Sequence, residues 1–553
     1  MQGGRQKSFC HNKTRYFVDG FCPEKNRVYE FNGCYWHGHD CNPEYKGPHP
    51  TRKGKTYEQL LAATKERTRI LKEELKLDVE EIWECEWQIM KKTSAVKTFL
   101  KDAFPAHPAS FFSKKAPYTS KDIIDAIQNN GLFGFILCDI SVPKHVPIPT
   151  DRKDLYDFFG KNANLGDYFS EMTPIFKNID VSLEDVGEHM KTYATDNKLL
   201  SQPRRTLVGS YSAKIFLIIT PLLLWYLSKG LVVDVVHQFV QYHPKTCFTS
   251  FASNVTEMRR LGDTDPKKKL VADTYKLIGN SAYGKCLENL ASHTTVEYVD
   301  KKGYQKLVRE PLYKKSTPLD EEASILEVES LKSKVNWNLP LQIGLFVYQY
   351  AKLHMLRFYY DFIDLFISRA DFQLIEMDTD SLYMALSQDD LLKVIRPDRL
   401  EQFMTEYGKW MQPEACSYHL KEFVESRRGS IPWVAPPCCG KTRIWGMREP
   451  GLFKEEWRGD GMVALCSKTY FGWGVNDKYS CKGLNKHINR AKLDRETFLR
   501  VLETEEIDGG VNKGFRVLGR DVVRYNQQKK ALSYLYIKRR VGTDGISTSP
   551  LEI

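Results

Sequence analysis

Asp378 and Asp380 lie two positions apart, flanked by apolar residues, within residues 374–384. Apolar runs on both sides of a short polar turn predict a β-hairpin that presents both carboxylates at its tip. Because like charges at this distance raise each other's pKa unless a cation neutralises them, the pair indicates a divalent-metal site. A solvent-exposed acidic turn without a metal is the alternative.

A lysine, an asparagine and a tyrosine are spaced for one face of a helix in residues 275–285. Lys276, Asn280 and Tyr283 fall at positions i, i+4 and i+7, which lie on the same side of an α-helix. On such a face the lysine would suit a triphosphate, and the tyrosine ring would suit packing against a base. A solvated basic helix is the alternative.

Three cysteines and a histidine near the N-terminus have the composition of a zinc site. Cys34, His39 and Cys41 are close in sequence, and Cys85 follows a segment that reads as a strand. Thiolate and imidazole are the ligands that tetrahedral zinc prefers in proteins. The set therefore predicts a structural zinc site, with scattered buried thiols as the alternative.

Acidic residues beside this cluster point to a second kind of metal chemistry. Asp19 precedes a turn, and Glu30 lies in residues 28–31, which read as a strand. Two carboxylates on adjacent strands near His37 suit Mg²⁺ and the activation of water for phosphodiester cleavage.

The elements that must position these residues are marked by breaks in the pattern. Thr56 and Gln59 form a capping-box pattern after the loop at residues 46–55, so a helix is predicted to begin there and to run to Leu75. Residues 79–83 read as a strand, and residues 105–117 as a loop that ends a small N-terminal α/β unit. Residues 215–227 predict a buried helix. The mixed pattern of the whole chain predicts the α+β class.

Composition excludes several classes of protein. The chain has 553 residues, 81 basic and 70 acidic, for a net charge of +11, and 42% of its residues are hydrophobic. That content supports a sizeable core and excludes a disordered chain, and the mild positive charge fits a polyanionic partner. No apolar run is long enough for a membrane span or a signal peptide. An intracellular location is therefore expected, with nucleus, mitochondrion and viral factory left open, and the thirteen cysteines are read as thiols or metal ligands.

The N-terminal residues resemble a known nuclease family. Asp19, the run 33–37, His39-x-Cys41 and the run 83–85 are similar to the very-short-patch-repair (Vsr-like) endonucleases, a branch of the PD-(D/E)XK fold. The resemblance implies that Asp19 binds catalytic Mg²⁺, and that His37 assists the chemistry. It also implies a structural zinc site, and its ligands would be Cys34, His39, Cys41 and Cys85. Tyr35 and Trp36 resemble aromatics that wedge into DNA, with buried packing as the alternative.

The rest of the chain resembles family B DNA polymerases. Lys276-x3-Asn280-Ser281-x-Tyr283-Gly284 is similar to their motif B, and Asp378-Thr379-Asp380-Ser381 is similar to motif C. Lys468-Thr469-Tyr470 resembles the K-x-Y element, and the three elements occur in the family's order. Together the three elements resemble the organellar and viral, protein-primed branch of that family. Segments 514–516 and 542–545 resemble polymerases of self-synthesising transposons and related viruses.

This second resemblance implies an activity and roles for its residues. The activity is DNA-directed DNA polymerisation by two-metal-ion chemistry on a DNA template and primer with dNTPs, with a terminal protein as an expected primer. Asp378 and Asp380 would bind Mg²⁺. Lys276, Asn280 and Tyr283 would bind the nucleotide. Lys468 and Tyr470 would hold the primer strand.

The resemblance also implies an architecture, a right-hand polymerase of palm, fingers and thumb behind a small restriction-endonuclease-like domain. The expected units are a nuclease-fold zinc module in residues 10–95, the N-terminal part of the palm in 120–253, a fingers region with motif B in 254–292, the palm with motif C in 293–400, and the K-x-Y element with a thumb and C-terminal DNA grip in 401–553. The basic, tyrosine-rich residues 516–540 suit that grip on a duplex backbone.

The chain departs from both family patterns. No D-x2-S-L-Y-P motif is present, and Asp139, at the end of an apolar strand, is the nearest candidate for the third metal-binding aspartate. A strand-end acid without a metal is the alternative for Asp139. No proofreading exonuclease pattern precedes it, and Asn32 stands where the nuclease fold would place a catalytic lysine. Two other functions therefore remain open: a Vsr-like DNA endonuclease, and a DNA-binding remnant without catalysis.

Overall fold

The computed structural model describes residues 8–12, 14–43, 45–49, 54–91, 93, 119–129, 131–319, 325–518 and 521–551. The chain divides into two compact units, an N-terminal unit of residues 1–109 and a main unit of residues 110–553. Both mix helices with small separate sheets, which is compatible with the predicted α+β class.

The N-terminal unit is built on a three-stranded sheet. Its elements in chain order are β1 (Ser8–His11), β2 (Thr14–Phe17), β3 (Gly20–Cys22), β4 (Arg27–Asn32), α1 (Cys34–His37), α2 (Tyr57–Arg69), β5 (Asp78–Trp83) and α3 (Glu84–Met90). Strands β1 and β2 form a hairpin, β3 pairs antiparallel with β4, and β4 pairs in parallel with β5. A parallel pair needs a crossover, and α2 lies within that connection.

The start of α2 was predicted from its capping box, and the structure confirms it. Thr56 Oγ1 accepts a hydrogen bond from the Gln59 amide at 3.3 Å, and Gln59 Oε1 accepts one from the Thr56 amide at 3.0 Å. The helix continues as a π-turn over Ile70–Glu74, so Leu71 joins Val28 and Val79 in the core of the unit. The predicted strand at residues 79–83 is also present, as β5.

The main unit contains small sheets packed with helices. Its helices are α4 (Ser120–Gln128), α5 (Lys153–Phe159), α6 (Leu165–Tyr168), α7 (Glu188–Asp196), α8 (Thr220–Ser228), α9 (Thr249–Thr264), α10 (Lys269–Gly284), α11 (Lys301–Leu307), α12 (Leu341–Arg357), α13 (Asp364–Phe366), α14 (Leu400–Trp410), α15 (Leu420–Arg428), α16 (Pro437–Gly446) and α17 (Arg495–Thr504). A π-turn at Phe358–Ile363 joins α12 to α13.

The strands of this unit pair antiparallel throughout. They are β6 (Gly134–Ser141), β7 (Ile175–Val181), β8 (Arg204–Ser210), β9 (Ser212–Ile219), β10 (Val232–Gln241), β11 (Thr294–Val299), β12 (Tyr313–Pro318), β13 (Leu326–Leu331), β14 (Phe372–Asp378), β15 (Ser381–Leu386), β16 (Gly461–Cys466), β17 (Thr469–Trp473), β18 (Lys478–Ser480), β19 (Asp508–Leu518), β20 (Asp521–Leu532), β21 (Arg540–Val541) and β22 (Thr548–Ser549). Strand β6 lies between β9 and β10, and β17 lies between β16 and β18.

The predicted buried helix at residues 215–227 is wrong in its first part. Residues up to Ile219 belong to β9, where Ile218 pairs with Ile136 of β6, and only then does α8 begin. Pro221 explains the boundary, because proline has no N–H to donate and its fixed φ suits the first turn of a helix. Because residues 215–227 are almost all apolar, their sequence shows no change of period where the strand ends and the helix begins.

The largest core of the main unit joins β6, α8, the end of α12 and the β14–β15 hairpin. Ile136, Tyr226 and Tyr360 are fully buried in it. Leu374 and Met377 of β14 pack against the same core. The base of the hairpin is therefore fixed, while the turn at its far end projects away from the core.

Candidate functional site

The predicted acidic hairpin is present in the main unit. Asp378 ends β14 and pairs with Ser381, which begins β15, so Thr379 and Asp380 form a two-residue turn. Thr379 has φ +54°, the left-handed conformation that such a tight turn uses. The Asp380 side chain is exposed, and that of Asp378 is 29% exposed.

The turn that carries Lys468 lies against this hairpin. Lys468 falls between β16 and β17 with φ +65°, and its Nζ lies 3.2 Å from Oδ2 of Asp378. Its backbone N–H also donates to Oε1 of Glu376 at 3.3 Å. Two segments that the sequence singled out separately thus meet at the hairpin tip.

A pair of tyrosines links the same two hairpins. The hydroxyls of Tyr383 on β15 and Tyr470 on β17 are 3.0 Å apart, and their ring centroids are 5.0 Å apart. Burial, together with the hydrogen bond to Tyr470, raises the pKa of Tyr383. Tyr470 is therefore held in one place relative to Asp378.

The predicted helix of residues 275–285 is part of α10, and it brings Tyr283 towards the acids. The Tyr283 ring meets Tyr348 edge-on with centroids 5.7 Å apart. Partial burial raises the pKa of Tyr283, and Tyr348 and the negative charge of Asp380 raise it further. Lys276 and Asn280 are exposed on the same helix.

A cleft of about 1500 Å³ opens beside the hairpin. Asp378, Thr379 and Glu376 line it on the hairpin side. The rest of the described charged lining is mixed, with Glu171, Asp371 and Asp544 beside four lysines and two arginines. Lys352 lies over the rings of Phe176, Phe216 and Tyr226, and burial lowers its pKa to about 7. The exposed lysines of the lining, Lys468 and Lys482, suit a polyanionic ligand.

Glu376 is a buried acid of this cleft that sequence reasoning missed. Its side chain is 7% exposed, and its Oε2 has no hydrogen-bond partner among the residues that the structure describes. Burial raises the pKa of Glu376, and the amide of Lys468 partly opposes that rise. A glutamate two residues before Asp378 on the same face of β14 was the available signal.

Asp139 lies on β6, as its apolar context predicted, but its carboxylate is engaged by two donors. Oδ1 accepts hydrogen bonds from the Ile215 amide and from Nε2 of His237, both at 2.7 Å. These donors lower the pKa of Asp139, the amide contributing most. His237 had no sequence signal, because it reaches Asp139 from the neighbouring strand β10.

Groups of metal-ligating side chains occur at two places in the described part of the chain. One group is the predicted set Cys34, His39, Cys41 and Cys85, and the other is Cys416, His419, Cys438 and Cys439. In each, the ligand atoms all lie within 4.8 Å of one another. Asp139, Asp378 and Asp380 belong to neither of these two groups.

The N-terminal group is assembled by α1, the residues after it and α3. Nδ1 of His39 lies 3.5 Å from Sγ of Cys34 and 3.4 Å from Sγ of Cys85. The Cys85 amide donates to Sγ of Cys34 at 3.3 Å, and the His39 ring stacks on Trp83 with centroids 4.1 Å apart. These residues could hold a metal ion, as the sequence predicted.

The acids of the N-terminal unit have protein partners. Asp19 accepts the Phe31 amide at 2.9 Å, and Glu30 pairs with the Arg67 guanidinium at 2.9 Å. Burial raises the pKa of Glu30 to about 7, although Arg67 opposes the rise. His37 Nδ1 lies 3.0 Å from Oγ1 of Thr64. Arg67 therefore neutralises Glu30, a contact that the sequence did not indicate.

The two adjacent aromatics of the predicted DNA wedge differ. Tyr35 packs into a cluster with Tyr45 and Tyr57, whereas the side chain of Trp36 is 49% exposed. Packing accounts for Tyr35, and the wedge prediction remains for Trp36 alone.

Some side chains of residues 516–540, the segment predicted to hold a DNA duplex, are packed inside the protein. Tyr534 is 5% exposed, and Arg539 donates to the backbone oxygens of Ser170 and Glu171. These two residues are structural, so the prediction is wrong for them. Several of the other predicted side chains, those of residues 516–521, 523 and 525, lie outside the described ones.

Comparison of the chain with protein-family models, with curated proteins and with solved structures finds no match. Within the described residues, no helix has the length and apolar character needed to cross a membrane.

Proposed function

We propose that the chain is a DNA-directed DNA polymerase whose active site is the tip of the β14–β15 hairpin. The observation that carries the proposal is that Nζ of Lys468 lies 3.2 Å from Asp378, while the negative charge of Asp380 raises the pKa of Tyr283 from a third segment. The three segments are far apart in the chain, and each carries a sequence pattern of its own.

The donor set at the hairpin tip suits Mg²⁺. Two carboxylates two residues apart, one exposed and one partly exposed, supply the hard oxygen ligands that this ion takes. When bound, the metal would supply Lewis-acid stabilisation of the charge that develops on the transferred phosphate. Asp378 and Asp380 would hold it, with Asp139 as the candidate for the third acid that the resemblance calls for.

The surrounding residues would place the substrates. Lys468, now paired with Asp378, would exchange that carboxylate for a phosphate of the primer strand, and Tyr470 would fix the strand beside it. Tyr283 would pack against the incoming base, and Lys276 would neutralise the triphosphate. Lys482, an exposed lysine of the cleft, would contact the backbone of the template duplex.

For the N-terminal unit we propose a zinc-stabilised module that contacts DNA. Zinc would be held by Cys34, His39, Cys41 and Cys85, and Trp36 offers an exposed ring to the nucleic acid. The pairing of Glu30 with Arg67, and Asn32 in the lysine position, argue against cleavage by this unit. As part of the polymerase proposal, a terminal protein would serve as the primer.

A templated primer-extension reaction with dNTPs and Mg²⁺ separates this proposal from its alternatives. Stepwise addition that follows the template sequence supports a polymerase. Nicking of duplex DNA that is lost in Asp19→Asn, without any addition, would instead identify an endonuclease. Salt-sensitive DNA binding with neither reaction would identify a remnant, and both of these results would contradict the proposal.

A further inference from the structure

The second cysteine–histidine group lies in the main unit, outside the proposed active site. Cys416 and His419 precede α15, and Cys438 and Cys439 lie in the first turn of α16. Sequence reasoning missed the group because Cys416-x2-His419 and the adjacent Cys438-Cys439 do not have the spacing of a common zinc motif. Their presence on both sides of one proline-rich segment was the only signal.

Distances within the group match the edges of a metal-centred tetrahedron. Sγ of Cys416 lies 3.8 Å from that of Cys438 and 3.7 Å from that of Cys439. Zinc–sulfur and zinc–nitrogen bonds of the usual length give tetrahedral edges of about 3.8 Å between sulfurs and about 3.6 Å between sulfur and nitrogen. The sulfur–nitrogen separations fit as well: Nδ1 of His419 lies 3.2, 3.4 and 3.7 Å from the sulfurs of Cys416, Cys438 and Cys439.

Other interactions account for this arrangement less well. A ring nitrogen carries either one proton or one lone pair, so it serves one hydrogen-bond partner and cannot serve three sulfurs at once. The sulfur–sulfur separations exclude a disulfide, whose bond is about 2.05 Å long. A Cys416–His419 nucleophile pair would explain one contact but not the two further thiols beside it.

We infer that Cys416, His419, Cys438 and Cys439 bind a zinc ion with a structural role. Three thiolates and an imidazole are soft to borderline ligands that favour zinc over Mg²⁺. The Cys416 amide donates to Sγ of Cys439 at 3.4 Å, and the start of α16 presents the positive end of its dipole to both adjacent thiolates. All four ligands come from the protein, so the site is closed and is not catalytic.

The ion would tie α16 to the core and to a distant helix. Cys439 is buried in the main core together with Ala415 and Phe423. Just after α16, Arg448 forms a paired contact with Asp263 of α9 at 2.7 and 2.8 Å. Arg260 of α9 binds Glu449 at 2.6 Å. Helix α9 packs against α10, which carries Lys276 and Tyr283. By holding the segment that binds Arg260 and Asp263, zinc would therefore help to fix the position of both helices.

Zinc analysis of the full chain and three variants tests the inference. Wild type should hold two zinc ions, one for each group, and Cys438→Ser and Cys41→Ser should each hold one. Cys247→Ser removes an exposed cysteine outside both groups and should keep both ions. Full zinc content in Cys438→Ser, or loss of all zinc in Cys41→Ser, would overturn the inference.

A second measurement covers the case in which Cys438→Ser fails to fold. Cobalt added to the full-length Cys41→Ser variant, whose second group is intact, should give the intense thiolate charge-transfer and tetrahedral bands of a Cys3His site. Chelation should then raise amide hydrogen exchange in residues 437–449 at least about tenfold, because a closed site normally holds that segment. A spectrum without thiolate bands, or exchange indifferent to chelation, would overturn the inference.

Discussion

Nζ of Lys468 lies 3.2 Å from Oδ2 of Asp378, although the two residues belong to separate β-hairpins. A cation held on an acid by a surface ion pair, with its side chain 56% exposed, can move to another anion at little cost. Under the proposed function that anion is a phosphate of the primer strand. The contact therefore defines where the end of the primer would lie.

Lys468→Met should weaken binding of primer–template DNA about tenfold, and it should reduce the salt dependence of binding by about one phosphate contact. Fluorescence anisotropy at several salt concentrations measures both quantities. Lys301→Met is the matched control, because Lys301 is an exposed lysine at the start of α11, away from the proposed site. Equal losses in the two variants would contradict the role given to Lys468.

Arg67 and Glu30 should be strongly coupled in the stability of the N-terminal unit. At pH 8, above the pKa of Glu30, Arg67→Leu removes the cation beside this buried acid and should lower the free energy of unfolding by about 2 kcal/mol, below the full value for a buried pair because Arg67 is partly exposed. Adding Glu30→Gln should restore about half of the loss. Denaturant unfolding of wild type, both single variants and the double variant measures the coupling, and strictly additive effects would contradict it.

Local patterns could be predicted from the sequence where short-range physics decides the outcome. The capping box of Thr56 and Gln59 determines where α2 begins, and the apolar runs around Asp378 determine the hairpin. The N-terminal metal group was predictable for a similar reason, since most of its ligands lie within a few residues of Cys34.

Relations between distant segments could not be predicted in this way. His237 reaches Asp139 only because β10 pairs with β6, and Arg67 reaches Glu30 from α2. Nothing near any of these residues in sequence indicates its partner. The strand at Ser212–Ile219 was missed for another reason, because a continuous apolar run has no period that separates a buried strand from a buried helix.

Glu376 should make stability depend on pH. Burial raises its folded pKa above the usual 4.5, so the folded chain binds this proton more tightly than the unfolded chain, and stability falls as pH rises through and above 4.5. Glu376→Gln should therefore raise the melting temperature at pH 8 by about 2 °C, and the gain should vanish below the unfolded pKa. Thermal melts from pH 4 to 8 measure this, with Glu401→Gln as control, because Glu401 is an exposed glutamate on α14. A gain that persists at pH 4 would contradict the prediction.

Asp139 should prove essential for nucleotide addition, whereas His237 should not. Asp139→Asn removes one proposed metal ligand and should slow primer extension about 100-fold or more, because a fixed charge at the reacting phosphate is lost. His237→Ala removes only a hydrogen bond to that carboxylate and should cost less than about tenfold. Rates measured across a range of Mg²⁺ concentrations test this, and an unaffected Asp139→Asn enzyme would remove Asp139 from the site.

The central claim is that the acids of the β14–β15 hairpin catalyse templated nucleotide addition. The most direct measurement is single-turnover primer extension by wild type and Asp380→Asn at saturating dNTP and Mg²⁺, with thermal melts to show that both are folded. The exposed position of Asp380 in the turn makes an unfolded variant unexpected. The account predicts template-directed addition by wild type and a loss of about 1000-fold or more in Asp380→Asn. Equal rates in the two proteins, or no addition by wild type, would contradict it.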